Sequence, residues 1–487
     1  MERNIKYGVT GAQTLQESSY LDKQKSKQMD KYIQECGFFE DESEGQIRER
    51  VLGKINLLLK RFVKIISKLK KISSDENTNY GGKIFTFGSY RLGVHSKGSD
   101  IDVLCIVPRH VTRKEFFNEF YDMLNEEKEV KELTKIEEAY VPLIKMVYSN
   151  IPIDLTFARL NSSVVGEKIN LLNDYVIKNM DDKCVLSING SRVTDEILNL
   201  VPNVLTFHSA LRCIKYWAKQ RCIYGNSYGY FGGVAFSISV ARICQLFPNA
   251  SSYTIVVKFF EIFSNWKWPN PVILKSIVDL GYNMKVWDPK IYPTDKYHKM
   301  PVITPAYPSI CSTHNITMST QNLITNELIR GHDIMSKEHG NFQKLCLVSD
   351  FFNRYKLFIQ VNAISDNTNH KLWVGFIESK IRILATKIEV LDEVLNAYPF
   401  PRAFEIFNEK LTNFSFKIPN VKIFTSFFIG LEFPNTKNKT IIIENPVKEF
   451  LEFINNYDKK EDSMICEVNS MKRRDVHKFL SVFYSKY

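Results

Sequence analysis

The sequence predicts a multidomain α+β protein, and three observations support this fold class. The chain has 487 residues, room for about three domains, and 44% of them are hydrophobic, as packed cores require. Short apolar runs near residues 100 and 150 predict strands, whereas residues 202–336 have mostly helical periodicity. After residue 350, strand-like and helical patterns alternate. We therefore expect domains over residues 1–201, 202–350 and 351–487, and the first residues could also pack on the middle domain.

The first long element is predicted to be an amphipathic helix. Apolar residues recur at helical intervals between Gln46 and Lys71. The basic residues of this segment could touch RNA, but a solvated helix face is the default explanation for them. Further on, charged and apolar residues alternate from Arg113 to Glu138, where we expect one or two surface helices.

Between the predicted helix that ends near Lys71 and the surface helices, one segment joins a Gly-Ser turn to two carboxylates. Gly88-Ser89 precedes Asp100-Ile101-Asp102, which opens an apolar run to Val107. If that run is a strand, its period of two places Asp100 and Asp102 on one face. Like charges this close stay ionised at neutral pH only when a cation or strong donors compensate them, and oxygen ligands favour a hard ion such as Mg²⁺. An isolated Asp-x-Asp is more often only the start of a strand, so the interpretation depends on its neighbours.

A second predicted strand supplies a third carboxylate. In the run from Ile151 to Phe157, apolar residues alternate with Asp154 and Thr156, which indicates a half-buried strand. On a strand beside the first pair, Asp154 would let two ions sit together, one activating a hydroxyl and the other holding a triphosphate. A glycine at the preceding turn lets backbone approach a ligand, and the serine after it can donate to phosphate oxygens. Together these features indicate a nucleotidyl-transfer site.

The C-terminal region is predicted to contain strands on either side of helical sequence. Apolar runs from Phe352 to Val361 and from Val421 to Leu431 favour strands, and the segment from Lys371 to Tyr398 has helical periodicity. The phenylalanines of the second run are expected in the core, with a base-stacking platform as the less favoured alternative.

Composition limits the partners and the compartment. The net charge of +11 favours an anionic partner, although charge does not separate RNA from DNA or an acidic membrane. Nine cysteines without a Cys-x-x-Cys pair indicate a reducing compartment and argue against a zinc site or a disulfide framework. No apolar run approaches the length of a membrane span, and the N-terminus lacks a signal core, so we expect a soluble protein without a membrane partner.

Five motifs make the chain similar to a known family. They are Gly81 to His95, Gly98 to Asp102, Asn189 to Leu198, Phe231 to Ala235 and Pro301 to Pro308. On these motifs the chain resembles, over most of its length, the eukaryotic nuclear-type poly(A) polymerases of the DNA polymerase β-like nucleotidyltransferase superfamily. The resemblance implies a mixed-sheet nucleotidyltransferase catalytic domain, a helical middle domain that closes over the nucleotide, and an RNA-recognition-motif-like C-terminal α/β domain that binds RNA. The usual aromatic signature of that motif is not evident.

The resemblance also implies roles for individual residues. Asp100, Asp102 and Asp154 are expected to form the metal-binding catalytic triad. The residues expected to contact ATP are Phe87, Gly88, Ser89, Tyr140, Val141, Lys145, Lys215, Tyr224, Asn226, Gly233, Val234 and Thr304, and Asn189 is expected to contact RNA. Tyr140 stands where many members carry Phe, and Ile310 stands where some carry Met.

Spacing alone leaves simpler explanations open for several of these positions. Lys215 fits the solvated basic face of a helix equally well. Tyr224 could pack in a core, and Gly232-Gly233 could form a plain turn.

The activity that the resemblance implies is template-independent transfer of AMP from ATP to the 3′ end of RNA, as in mRNA polyadenylation. It implies a two-metal mechanism with Mg²⁺, or Mn²⁺ as a substitute. The expected partners are ATP, the RNA 3′ end and mRNA cleavage and polyadenylation factors, and we expect a monomer in the nucleus. Two alternatives remain open: a terminal transferase that adds uridylate or CCA to RNA, and an inactive RNA-binding scaffold. The three carboxylates argue against the scaffold because a buried charge cluster is costly.

Overall fold

The computed structural model describes residues 7–72, 79–338, 340–366, 369–407, 423–434 and 442–484. Within these ranges the strands form two five-stranded sheets, one in the N-terminal part and one in the C-terminal part, with helices between them.

The elements fall into three groups along the chain. The first group is α1 (Tyr20–Glu35), α2 (Glu42–Leu69), β1 (Lys83–Phe87), α3 (Gly88–Arg91), β2 (Ile101–Val107), α4 (Arg113–Glu115), a π-helical turn (Phe116–Phe120), α5 (Tyr121–Asn125), β3 (Val130–Ile136), β4 (Leu143–Tyr148) and β5 (Ile151–Arg159). The second is a 3-10 turn (Asp174–Ile177), α6 (Asp182–Leu200), α7 (Val204–Gln220), another 3-10 turn (Asn226–Tyr228), α8 (Gly233–Leu246), α9 (Ser252–Ser264), α10 (Pro293–Lys296), α11 (Met318–Lys337), α12 (Phe342–Leu345) and α13 (Phe351–Arg354). The third is β6 (Leu357–Ser365), α14 (His370–Glu378), α15 (Ile381–Glu389), β7 (Asn396–Pro399), β8 (Phe404–Phe407), β9 (Ile423–Glu432), α16 (Glu444–Asn455), β10 (Ile465–Lys472) and α17 (Arg473–Tyr484).

The predicted amphipathic helix is present as α2, and it begins earlier than its apolar pattern does. Asp41 caps it by accepting a hydrogen bond from the backbone N of Glu44 at 3.0 Å, and the Glu44 side chain accepts one from the backbone N of Asp41. Such a reciprocal cap satisfies two backbone donors that the first helical turn leaves free. The apolar face of α2, with Val51 and Ile55, is buried in the same core as the first sheet.

The first sheet is mixed, with strand order β1-β2-β5-β4-β3. β2 and β5 run parallel, whereas β1 with β2, β5 with β4, and β4 with β3 run antiparallel. Both predicted carboxylate strands are present, as β2 and β5. The expected surface helices end at Asn125, and the continuation of that segment is strand β3. This prediction was therefore partly wrong, because a charged edge strand with one paired side resembles a solvated helix in its composition.

The middle of the chain is helical, as predicted. Trp217 of α7 is fully buried, and its ring meets those of Phe236, Phe259 and Phe260 edge to face. These contacts join α7, α8 and α9 in one core. The N-terminal segment reaches the same helices, since the backbone N of Gln13 donates to the Leu246 carbonyl and α1 packs on α9 and α7.

The C-terminal sheet has the order β10-β6-β9-β7, with β8 also paired to β9. The predicted strand from Phe352 begins only at Leu357 because Phe351–Arg354 forms a helical turn. The helical pattern after Lys371 covers two helices and ends at Glu389, and Asn396–Pro399 pairs with β9 instead. Periodicity missed this short strand because its residues are buried on both faces.

The predicted strand from Val421 is present as β9 from Ile423, and its first two residues lie outside the described ranges. Phe424, Phe427 and Phe428 are all buried. They belong to the core, as expected, and do not form an exposed stacking platform.

All nine cysteines lie in the described part of the chain, and all are free thiols. In that part, no single helix combines the length and apolarity of a membrane span. The helices α6 and α7 have that length and composition only when taken together, and they are bent by 118° relative to each other.

Candidate active site

Three carboxylates converge at one edge of the first sheet. Because β2 and β5 are parallel and in register, Asp102 lies directly opposite Asp154, and Asp100 precedes β2 on the same face as Asp102. One carboxylate oxygen from each residue lies within 4.8 Å of the other two. No other group of His, Cys, Asp or Glu in the described ranges forms such a cluster.

The electrostatics of this cluster favour a bound cation. Burial, with Asp100 and Asp154 nearby, raises the pKa of Asp102 to about 7. Burial also raises the pKa of Asp154, against the opposing charge of Lys145. Full ionisation of the cluster therefore needs added positive charge, and three oxygen ligands on an open edge match a hard divalent ion. The residues present fit a divalent metal site.

Lys145 lies on β4, opposite Asp154 in the antiparallel register. Its Nζ donates to Asp154 Oδ2 at 2.7 Å, while about half of the side chain remains exposed. A partly solvated ammonium beside the triad can reach a phosphate oxygen without leaving the site.

Gly88 lies closer to the triad than a larger residue could. Strand β1 ends at Phe87, opposite Asp102, and Gly88 then turns the chain with φ +63° into α3, which carries Ser89. A Cβ atom on Gly88 would lie 2.2 Å from Asp102 Oδ2. The Phe87 ring packs against Gly190 of α6, where a Cβ would lie 2.7 Å from the ring. Both glycines let backbone and ring approach closely.

Lys215 is buried, with 4% of its surface exposed, so the solvated-face explanation is wrong for this residue. Its Nζ donates to the Val94 carbonyl at 3.0 Å. Burial, followed by the charge of Lys219, lowers the pKa of Lys215 to about 7, whereas Asp100 and Asp102 raise it. Lys215 is therefore held beside the loop that leads into the triad.

Lys219 and Arg402 are neighbours that sequence reasoning did not assign to the site. Burial and the charge of Arg402 lower the pKa of Lys219, and Asp100 opposes them. The Nζ atom of Lys219 lies 5.6 Å from the centre of the Tyr224 ring. Lys219 could have been assigned to the site because it lies one helical turn after Lys215, whereas no nearby sequence pattern indicated Arg402.

Tyr224 packs against the start of α8 near the triad. The Tyr224 ring stacks on Phe236 with centres 5.8 Å apart and planes 3° apart. A Cβ on Gly233 would lie 2.9 Å from the Tyr224 hydroxyl, so glycine leaves room for this ring. Val234 is 40% exposed beside it. Burial, with Asp100 and Asp102, raises the pKa of Tyr224 to about 12. Tyr224 is thus both a packed ring and a neighbour of the triad.

Asn226 lies two residues after Tyr224, and its side-chain oxygen has no hydrogen-bond partner among the described residues. Its backbone carbonyl accepts a hydrogen bond from Asn315, but its buried Oδ1 has no partner among the described residues. Buried amide groups are normally hydrogen-bonded, so this end of the side chain is available to a ligand.

A cleft of about 720 Å³ begins at Asn226. Its lining is Tyr140, Asn226, Ser227, Lys285, Trp287, Thr294, Asp295, His298, Ile310, Cys311, His314, Asn315, Ser379 and Arg382. Tyr140 is 75% exposed at its rim, next to the half-buried Val141. The cleft therefore has lining residues from all three groups of elements.

Two predicted residues are less accessible. Thr304 is buried, and its Oγ1 accepts a hydrogen bond from the backbone N of Ile310 at 2.9 Å, so it holds the loop that carries Ile310. Asn189 is buried in α6, and its Oδ1 has no partner within the described ranges. The roles assigned to these ligand-contacting residues stay predictions.

Comparison with known proteins places this site in a family. Three family descriptions match successive parts of the chain: the poly(A) polymerase nucleotidyltransferase domain over residues 8–201, the poly(A) polymerase central domain over 206–352, and the poly(A) polymerase predicted RNA binding domain over 350–417.

Two fungal relatives agree with these matches. Poly(A) polymerase PAPalpha of Candida albicans is 49% identical over 383 residues, which are 77% of this chain and 69% of the relative. Poly(A) polymerase pla1 of Schizosaccharomyces pombe is 41% identical over 479 residues, 88% of this chain and 85% of the relative.

Among solved structures, the Cid1 RNA terminal uridylyl transferase is 16% identical with a TM-score of 0.44, and the match covers 67% of this chain and 99% of Cid1. A second Cid1 structure, of the poly(U) polymerase with 3′-dATP, is also 16% identical, with a TM-score of 0.46 over 67% of this chain and 99% of that one. The family matches cover most of the chain, the two fungal relatives are 49% and 41% identical to it, and the chain therefore belongs to the poly(A) polymerase family of nucleotidyltransferase enzymes.

Proposed function

We propose that this protein adds AMP from ATP to the 3′ end of RNA without a template, at the site formed by Asp100, Asp102 and Asp154. The observation that carries the proposal is the convergence of one oxygen from each carboxylate within 4.8 Å, in a chain of the poly(A) polymerase family. The reaction forms a bond between the RNA 3′ oxygen and the α-phosphorus of ATP. The bond from that phosphorus to the bridging oxygen breaks, pyrophosphate leaves with the electron pair, and the hydroxyl proton passes to solvent.

We propose that the triad holds two Mg²⁺ ions, with Mn²⁺ as a substitute. Such ions would supply Lewis-acid activation of the attacking hydroxyl and neutralise charge on the triphosphate. The three aspartates would be the ligands, and Lys145 balances the charge of Asp154. Lys215 would add further positive charge, since a bound triphosphate raises the proton affinity of a nearby ammonium.

The packing around Tyr224 supports a proposal for how the base is held. The Tyr224 and Phe236 rings are stacked, and Gly233 and Val234 present a small and partly exposed surface beside them. We propose that the adenine packs here and that the buried amide end of Asn226, which lacks a partner in the described ranges, hydrogen-bonds to the edge of the base. An unpaired buried amide discriminates against a base that cannot match it.

We propose that the RNA strand lies along the cleft that begins at Asn226. Its lining includes Lys285 and Arg382, and the exposed Tyr140 offers an aromatic face. Cations and aromatic rings in one groove suit a single-stranded nucleic acid, because phosphates and base faces are both satisfied. The chain's charge of +11 supports the same partner.

Other expectations rest on the family resemblance and are proposals here. We propose a monomer that acts in the nucleus with mRNA cleavage and polyadenylation factors. We also propose that the domains divide near residues 201 and 350, as the sequence pattern indicates.

Primer extension tests the activity directly. Purified protein is incubated with an unstructured oligoribonucleotide and one nucleoside triphosphate at a time, with Mg²⁺, with Mn²⁺ or with EDTA. We expect extension with ATP above that with UTP, CTP or GTP, and none with EDTA. Faster extension with UTP would identify a uridylyl transferase, and no extension with any triphosphate and either metal would support the RNA-binding scaffold.

A further inference from the structure

Arg48 is a buried cation outside the triad that reaches the backbone next to it. The residue lies on α2 and is 1% exposed. Its Nε donates to Glu40 Oε2 at 2.7 Å, and its Nη2 donates to the Ser99 carbonyl at 2.8 Å. Burying a guanidinium costs several kcal/mol unless it is paired and hydrogen-bonded, so these two contacts hold Arg48 in a defined position. Ser99 is the residue immediately before Asp100.

Glu40 connects both ends of the segment that leads to Asp100. One of its oxygens accepts from Arg48, and the other lies 2.8 Å from Nε2 of His95. Through Arg48 the same carboxylate is linked to Ser99. The segment between is also anchored, since the backbone N of Lys97 donates to the Phe38 carbonyl at 3.0 Å. The loop from His95 to Ser99 is therefore fastened to the chain just before α2.

Asp100 depends on this loop for its position. It precedes β2, which begins at Ile101, and its side chain is exposed. Asp102 and Asp154, in contrast, lie within paired strands. The backbone at Ser99 and the first residue of β2 thus determine where the Asp100 carboxylate lies.

We propose that Arg48, oriented by Glu40, is a positioning residue that holds the backbone at Ser99. It thereby keeps the Asp100 carboxylate close enough to Asp102 and Asp154 for the three to bind metal together. The predicted effect on kcat rests on the proposed function, whereas the predicted effect on metal binding rests on geometry alone. A planar guanidinium can donate to a carboxylate and a carbonyl at once, whereas an ammonium concentrates its donors at one point. Arg48→Lys should therefore retain more Mn²⁺ binding and activity than Arg48→Met but less than the parent protein.

The test compares Arg48→Met and Arg48→Lys with a matched control. Arg221→Met is suitable because Arg221 is 5% exposed and forms a two-bond ion pair with Glu327 at 2.9 and 2.8 Å, in the helical middle of the chain. For each full-length protein we would measure the melting temperature, the binding of Mn²⁺ alone by the electron paramagnetic resonance of free Mn²⁺, and kcat and KM for ATP in primer extension.

We expect all three variants to melt at lower temperature than the parent protein, because each disturbs a buried ion pair. Only the Arg48 variants should weaken Mn²⁺ binding and lower kcat, by about 10- to 100-fold for Arg48→Met and less for Arg48→Lys, as is typical of residues that orient a metal ligand. KM for ATP should rise by a smaller factor than kcat falls, because the residues proposed to contact ATP directly are unchanged.

Unchanged Mn²⁺ binding in a folded Arg48 variant, or an equal loss in Arg221→Met, would overturn the inference. If Arg48→Met does not fold, Arg48→Lys and Glu40→Gln decide, since each keeps part of the network. If the parent protein binds Mn²⁺ but extends no primer, the proposed function fails while the positioning role remains measurable by Mn²⁺ binding.

Discussion

At the scale of single residues, Asp102 occupies an unusual position because it is buried beside two other carboxylates. Its pKa of about 7 follows from burial first and then from Asp100 and Asp154. Removing its charge leaves volume and strand pairing intact while a metal ligand is lost.

Asp102→Asn is therefore expected to abolish adenylate transfer, with kcat at least about 1000-fold lower, as is typical when an essential catalytic group is lost. Primer extension with ATP and Mg²⁺ measures this, and circular dichroism checks that the fold persists. Turnover close to that of the parent protein would remove Asp102 from the mechanism.

The same pKa predicts a pH dependence of stability in the absence of metal. A carboxyl group whose pKa is raised in the folded state binds more protons there than in the unfolded state, so its contribution to the free energy of unfolding falls as pH rises from about 4 to about 7. Asp102→Asn removes this slope. Urea unfolding at pH 5 and pH 8 in EDTA should show the variant gaining stability relative to the parent protein at pH 8. An equal difference at both pH values would contradict the assignment.

At the scale of elements, the turn from β1 into α3 brings backbone against the triad. Gly88 has φ +63°, and a Cβ there would meet Asp102 Oδ2 at 2.2 Å. Sequence spacing indicated the turn, but only the pairing of β1 with β2 shows which carboxylate it meets.

Gly88→Ala should lower kcat by about 100-fold or more, because it displaces Asp102, and should cost about 1–2 kcal/mol of stability for the left-handed backbone. Gly53→Ala is the matched control: Gly53 lies within α2 with open space where the Cβ would be. That change should raise stability by up to about 1 kcal/mol and leave kcat unchanged. Similar losses of kcat in both variants would show that the effect does not come from the close approach of Gly88 to Asp102.

Predictability also varied between elements for physical reasons. The helix α2 was identified because it has one buried face and hence a clear period, whereas β2 and β5 were identified as apolar runs in which the less buried aspartates alternate with buried residues. The edge strand β3 was mistaken for helix because most of its residues are polar and exposed. Strand β7 was missed because all four of its residues are buried, which leaves no alternation.

At the scale of the whole molecule, the cleft is lined by residues from the N-terminal, middle and C-terminal parts of the chain. Arg382 of α15 lines it, and its Nε has no partner among the described residues. The excess of positive charge, +11 over the chain, adds to the attraction for a polyanion.

RNA affinity should therefore fall steeply with salt, by about 0.7 in log affinity per log unit of salt for each phosphate neutralised on a single strand. Arg382→Gln should weaken binding and reduce that slope by about one such contact. Lys337→Gln, at an exposed cation paired with Asp333 outside the cleft lining, is the control and should change neither. Fluorescence anisotropy with a labelled oligoribonucleotide from 50 to 200 mM salt, a range of about fourfold, gives both slopes. An unchanged slope for Arg382→Gln would place the RNA elsewhere.

The sequence by itself determined the fold class, the family and the identity of the three carboxylates, because strand period and motif spacing are properties of short segments. The tertiary structure alone decided that Asp154 lies opposite Asp102, that Lys215 is buried against Val94, and that Arg48 reaches the backbone beside Asp100. These contacts join segments far apart along the chain. Their formation depends on how the sheet and helices pack, and no local pattern of residues encodes which side chain meets which backbone.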